Sequence, residues 1–249
     1  MKILVCISHV PDTTTKIKFT SDNKQIDDSG IQWIINPWDE LALTRAIELK
    51  EDANNPVDEV CVINVGPSKC DATLRKALAI GADKAVRVDA DPLDAYYVAG
   101  QIAGYLKNNP FDIVLSGIES SDYNSSSVGA MLGECMDWPA ISSMTKLDVE
   151  NNEFIIHRAI PGGKQVLQVL PPLVGIVQKG IAKEPRIPAM RGIMMARKKP
   201  LDVVPAIELQ ALSQIVEFEL PIPKASCKMI DAEHLENLVD LLKSEAKVL

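Results

Sequence analysis

Four short strand-like runs constrain this chain more than anything else in it: "KILVCIS" at 2–8, "EVCVINVG" at 59–66, "KAVRVD" at 84–89 and "DIVLSG" at 112–117. Short, nearly continuous apolar runs belong to strands covered on both faces. Stretches with helical spacing separate them. "NPWDELALTRAIELK" (36–50) sets Leu41, Ala42, Ala46, Ile47 and Leu49 at helical positions. Asn36 or Asp39 is placed to cap it, and Pro37 suits its first turn. "CDATLRKALAIGA" (70–82) reads as a helix that exits at Gly81, "PLDAYYVAGQIAGYLKNN" (92–109) as another, and a further helix starts at Val128. This alternation predicts an α/β fold, a mostly parallel twisted sheet with helices on both faces, Rossmann-like and nucleotide-binding. Ligands of such sheets sit beyond the carboxyl ends of the strands, which here carry Ser8-His9, Val65-Gly66 and Ser116-Gly117.

The character changes from about residue 141. "TKLDVENNEFIIHRAI" (145–160) alternates around Asn151-Asn152, a hairpin signal, and "KQVLQVLPPLVGIV" (164–177) adds strand-like runs broken by Pro171-Pro172. "AKEPRIPAMRGIMMARKKP" (182–200) has three prolines, many cations and no clear period, so an extended loop is expected. Residues 201–230 read as a Pro-punctuated arm, and "DAEHLENLVDLLKSEAKV" (231–248) as an amphipathic helix with Leu235, Leu238, Val239 and Leu242 on one face. The expected organisation is therefore an α/β domain over 1–200 and an arm with a helix over 201–249 that packs on a partner.

The 249 residues carry a net charge of −8, which argues against a nucleic-acid binder, whose affinity comes from neutralising phosphates. No apolar run approaches the roughly 18–20 residues that span a bilayer. The five cysteines (Cys6, Cys61, Cys70, Cys135, Cys227) are scattered, without a Cys-x-x-Cys pair, so buried free thiols, no metal site and a reducing cytoplasm are expected. His9, His157 and His234 are far apart, and neither Gly-x-Gly-x-x-Gly, a P-loop nor Gly-x-Ser-x-Gly occurs. No catalytic residue is indicated. That absence points to binding or carrying.

The stretch most open to chemistry is "SGIESSDYNSSSVG" (116–129), between a buried strand and a helix. Its small polar residues either cap the helix or leave the helix start to an anion, since Ser125, Ser126 and Ser127 let a ligand reach the backbone and donate hydroxyls. "MRGIMMARKK" (190–199) pairs a Met-rich apolar patch with cations, a combination suited to an acidic partner.

Several segments together resemble the β subunits of electron transfer flavoproteins: "KILVCISHVPDT", "NPWDELALTRAIELK", "VGPSKCDATLRKALAIGADKAV", "LSGIESSDYNSSSVG", "MDWP" and "KEPRIPAMRGIMMARKKPLDV", in matching order over roughly residues 1–205. The resemblance implies an electron carrier rather than an enzyme, paired with an α subunit that holds most of the redox-active FAD. It implies a structural AMP in this chain, touching Cys6, Asn36, Pro37, Trp38, Asp39 and Val65 and the loop of Gly117, Asp122, Tyr123, Asn124, Ser125, Ser126, Ser127 and Val128. Trp38 takes the place from which the family approaches the flavin ring. The segment at 182–199 resembles the loop that docks acyl-CoA dehydrogenases or other flavin dehydrogenases, with Glu184, Pro185, Arg186 and Ile193 around an anchor at Met190, where the family often has Leu. Electrons would pass on to a quinone oxidoreductase. One departure bears on the anion: the family loop usually begins Gly-Lys/Arg-Gln-Ala-Ile-Asp, whereas here it reads Gly117-Ile118-Glu119-Ser120-Ser121-Asp122, without the cation. Within these segments "VCISHVPDT", "SVG" at 127–129 and "MRGIMMARKK" look similar to the electron-bifurcating branch, in which a second FAD replaces AMP, whereas "MDWP" and "IPGGKQVL…KEPR" look closer to the AMP-holding branch. A stand-alone adenine-nucleotide binder is the reading from a different class; it would need neither the arm nor the Met-rich segment.

Overall fold

The computed structural model describes residues 1–224 and 226–249. Its centre is β1 (Lys2–Cys6), which starts the chain and ends up in the middle of a nine-stranded sheet. A small antiparallel ribbon of β2 (His9–Pro11) and β3 (Trp33–Ile35) follows. Then come α1 (Pro37–Glu51), β4 (Glu59–Val65), α2 (Asp71–Ile80), β5 (Lys84–Asp89), α3 (Ala95–Leu106), β6 (Ile113–Gly117) and α4 (Val128–Met136). The second half holds β7 (Ala140–Glu150), β8 (Glu153–Ile160), β9 (Gly163–Val169), β10 (Leu173–Val177), α5 (Met190–Ala196), β11 (Leu201–Pro205) and α6 (Leu235–Ser244).

The strand order is β11-β5-β4-β1-β6-β10-β7-β8-β9, parallel from β11 to β7 and antiparallel across β8 and β9. From β1 the chain lays strands to one side (β4, β5) and then crosses to the other (β6). The reversal of strand order between β1 and β6 opens a crevice at their carboxyl ends. The expected doubly covered sheet is present. Ile3, Val5 and Ile113 pack with α1 and α2 residues such as Leu43 and Leu74 on one face. Leu4, Ile63 and Val114 pack with Ile102 of α3 and Leu132 of α4 on the other.

The hairpin at Asn151-Asn152 forms as expected, both residues having the positive φ (51° and 63°) that a tight turn between strands requires. Residues 11–30 include the end of the β2–β3 ribbon and a turn closed by the Phe19–Ile26 bridge. Two features differ from the sequence reading. The segment at 182–199 contains a seven-residue helix, α5, too short for a period to show in sequence. The stretch from 201 begins as an edge strand, β11, along β5, where Pro205 is tolerated because an edge leaves one side of the backbone unpaired.

The arm is also pinned further along. Gly100 and Gly104 of α3 leave room for Leu209 and Ile207, since a Cβ at those glycines would stand 2.3 Å from Leu209 Cδ2 and 2.9 Å from Ile207 Cδ1. Gln101 exchanges hydrogen bonds with the Ile207 backbone (2.9 and 2.8 Å). Asp94 caps α3 through the Tyr97 amide (2.7 Å) and accepts from the amides of Leu212 (2.7 Å) and Ser213 (2.8 Å). Phe218 stacks on Phe19 at 5.2 Å. Beyond this, α6 buries no residue, and Leu235, Leu238 and Val239 are exposed.

Of the cysteines, Cys6, Cys61 and Cys70 are buried free thiols, and burial pushes Cys70 up to about 11. Cys135 and Cys227 are exposed, against expectation, because one lies on the outer side of α4 and the other in the arm, away from either core. Among the described residues no cluster of metal-ligating side chains occurs, and no helix is long and apolar enough to cross a membrane.

Candidate functional site

The crevice between β1 and β6 is held by one side chain. Asp39, in the first turn of α1, accepts the Ser8 amide just past β1 (2.8 Å) and the Gly117 amide at the end of β6 (2.8 Å). The carboxylate is buried at 3% exposure, and burial raises its pKa to about 6 against the pull of those two amides. Asn36 works beside it. Its amide donates to the Glu119 carbonyl (2.8 Å) and its Oδ1 accepts from the Ser121 amide (3.2 Å). Both residues have sequence positions that suit a helix cap, yet Asn36 at the N-cap makes no side-chain cap bond. They brace the loop after β6 instead.

Close approach is built in at Gly117. A Cβ there would lie 2.5 Å from Asp39 Oδ1 and 2.5 Å from Trp38 Cβ, so the strand end and the first turn of α1 meet without side-chain bulk between them. Trp38 and Pro37 are half-buried at this junction. Cys6 and Val65, at the ends of β1 and β4, are buried beneath it in one apolar cluster, and burial raises the Cys6 thiol far beyond the range in which it ionises. Cys6 is a packing group here.

The loop then runs over Asp122, Tyr123, Asn124, Ser125 and Ser126, all exposed, into α4. Asn124 and Ser126 take left-handed φ values (49° and 51°), and Ser127 returns to the right-handed region (φ −111°, ψ −33°). Such alternation turns successive N–H groups to one side. Ser127 stands at the N-cap of α4 but makes no cap bond, its hydroxyl donating backward to the Ser125 carbonyl at 2.7 Å. The start of α4 therefore keeps its donors and the positive end of its dipole for another acceptor. Glu119 is the opposing feature, accepting from Ser126 Oγ at 3.3 Å and adding negative charge.

Sequence reasoning placed His9 and Ser116 at this edge and passed over Asn64. Among the described residues, Ser116 Oγ, Asn64 Oδ1 and His9 Nε2 are buried without a hydrogen-bond partner at or just beyond a strand's carboxyl end, and Arg158 Nε on β8 is a fourth such group away from this edge. Orphaned groups of this kind gather where a fold is shaped around something other than its own packing. His9 also stacks on Trp33 (4.4 Å between ring centres) and bonds Thr73 Oγ1 (2.8 Å). Burial, with Lys69 and Lys76 nearby, lowers its pKa to about 4 and keeps it neutral. Two sequence signals mark it: a polar residue directly after a buried strand, and an aromatic residue two positions before the apolar end of a neighbouring one.

The docking candidates lie elsewhere, on the outer surface beside α1 and α2. Arg186 pairs with Glu51 (2.6 Å) and its amide donates to Thr44 Oγ1 (3.0 Å). At the far end Arg75 donates to the carbonyls of Ala196 (2.8 Å) and Lys199 (2.7 Å). Lys199 in turn bonds the Leu78 and Ala82 carbonyls at the end of α2 (3.0 and 2.6 Å). Held at both ends, the segment exposes Glu184, Pro185, Met190 (76%) and Ile193 (42%). The structure thus brings the crevice residues together and keeps this surface separate.

A family model of the electron transfer flavoprotein domain matches residues 24–209. The chain belongs to the electron transfer flavoprotein family. Its relatives match along its whole length. The electron transfer flavoprotein subunit beta of Bacillus subtilis (strain 168) is 34% identical, covering 100% of both chains. That of Syntrophomonas wolfei is 35% identical over 100% of this chain and 98% of its own, and the human one 28% identical over 100% and 99%. The flavoprotein match takes in Asn36, Asp39, the loop from Gly117 and α5.

Proposed function

We propose that this chain is the β subunit of a heterodimeric electron transfer flavoprotein and that its crevice holds AMP as a structural nucleotide. The observation that carries this reading is the Asp39 bridge between Ser8 and Gly117, which ties together the strand ends where the sheet order reverses and presents the uncapped start of α4 to that opening. Backbone donors at Ser125 to Val128 take the phosphate, while Trp38, Pro37 and Asn36 line the approach. FAD held mainly by an α subunit supplies the one- and two-electron chemistry, and this chain contributes binding, orientation and exclusion of water. The arm and helix over 201–249, whose amphipathic helix buries none of its residues, dock on that α subunit.

The surface of Glu184, Pro185, Arg186, Met190 and Ile193 receives electron donors of the acyl-CoA dehydrogenase type, with a quinone oxidoreductase as acceptor. A cytoplasmic setting accords with the free thiols. The test of the crevice is Ser126→Asp with Ser127→Asp, which puts two negative charges where the phosphate sits. The purified complex should lose its AMP and keep its FAD. Unchanged AMP content would overturn the assignment.

A further inference from the structure

The docking surface carries three exposed methionines: Met190, Met194 and Met195 are 76%, 70% and 48% exposed. The inner side of α5 belongs to two other residues. Ala196 is buried, and Gly192 rides so close to α2 that a Cβ would stand 2.4 Å from the Ala79 carbonyl oxygen. Residues four apart share a helix face, so Gly192 and Ala196 point inward while Met190, Ile193 and Met194 form the outward ridge. The thioethers are thus held in solvent on a short helix whose ends are fixed to α1 and α2. By contrast Met144 is fully buried in the core.

We propose that this ridge is a site of reversible oxidation, and that conversion of Met190 and Met194 to sulfoxides by a peroxide switches off docking of the electron donor. The sulfur lone pair attacks one peroxide oxygen, an S–O bond forms as the O–O bond breaks, and the departing hydroxide takes the remaining proton as water. Sulfur loses two electrons and the peroxide gains them. A flexible apolar tip becomes a polar one, which an apolar docking pocket rejects. Because the ridge touches neither the crevice nor the core, the cofactors and the fold remain as they were. The inference rests on the docking role given above for Met190.

The test treats the intact heterodimer with hydrogen peroxide, maps sulfoxides by peptide mass, and measures electron transfer from an acyl-CoA dehydrogenase together with the flavin absorbance. Met190 and Met194 should oxidise before Met144, and the second-order transfer rate should fall by about tenfold or more with FAD content unchanged. Methionine sulfoxide reductases should restore it. Measured against its own untreated rate, the triple variant Met190→Leu, Met194→Leu, Met195→Leu should lose no transfer on peroxide treatment. Unimpaired transfer by protein oxidised at 190 and 194, or equal sensitivity in the triple variant, overturns the proposal. Normal transfer by unoxidised Met190→Glu would instead refute the docking role beneath it.

Discussion

Asp39 is the residue on which the crevice depends, and it works against stability in order to do so. Its carboxylate has a folded pKa of about 6 against an ordinary 3.8, so its favourable contribution to folding is complete below pH 4 and is lost as pH rises through 6. At neutral pH the folded protein therefore forgoes up to about 3 kcal/mol at this position. Asp39→Asn, which does not titrate, should gain stability relative to the parent between pH 4.5 and 7.5 in urea unfolding. Parallel pH profiles would show that the carboxylate is not buried as described. Glu119 sets a second expectation. Its charge opposes an anion beside Ser126, so Glu119→Gln should slow nucleotide loss on dialysis by about threefold or more. Faster loss would mean the loop faces no phosphate. The loop's missing cation and its acidic Glu119 are visible in sequence, but the Asp39 bridge is not, since Asn36 and Asp39 look like caps of α1. A side chain's partner across the sheet is set by topology, and a cap motif reports only the local backbone.

At the scale of elements, the parallel strands were legible because burial on both faces leaves a continuous apolar run, and the Asn151-Asn152 hairpin because only a few residues accept positive φ. The α5 helix was not, since seven residues are too few for a helical period, and neither was β11, whose Asp202 and Pro205 interrupt the apolar run; both gain their order from contacts with α2 and β5. The α3 glycines show the same limit. Gly100 and Gly104 form the groove for Leu209 and Ile207, a role set by a segment distant in sequence. Replacing both by Leu should expel residues 206–213 from α3 while the sheet stays folded. Limited proteolysis should then cut that segment at least several-fold faster, with an unchanged core fragment. Unaltered cleavage would mean that the Asp94 and Gln101 bonds alone hold the arm. Gly192→Val, whose Cβ meets backbone at Ala79, should lift α5 and cost about 1–3 kcal/mol in urea unfolding. A neutral result would show α5 to be loosely seated.

For the whole molecule, the division of labour is spatial. The crevice lies at the carboxyl edge of the sheet, the proposed donor surface beside α1 and α2, and α6, which buries none of its residues, at the end of a pinned arm. That layout suits a subunit that holds a nucleotide permanently, meets its donor briefly and stays attached to its α subunit. Met190→Glu separates these roles: electron transfer from an acyl-CoA dehydrogenase should fall by about tenfold or more while nucleotide content is unchanged. Equal rates would remove the donor surface from the account. The central claim, a structural AMP in the crevice beside an FAD held mainly by the partner, is tested most directly by denaturing the purified heterodimer and quantifying the nucleotides released per complex. One FAD and one AMP is the expected result. Two FAD without AMP, or FAD alone, would contradict it, the first by giving the crevice to a second flavin and the second by leaving the loop after β6 with no ligand.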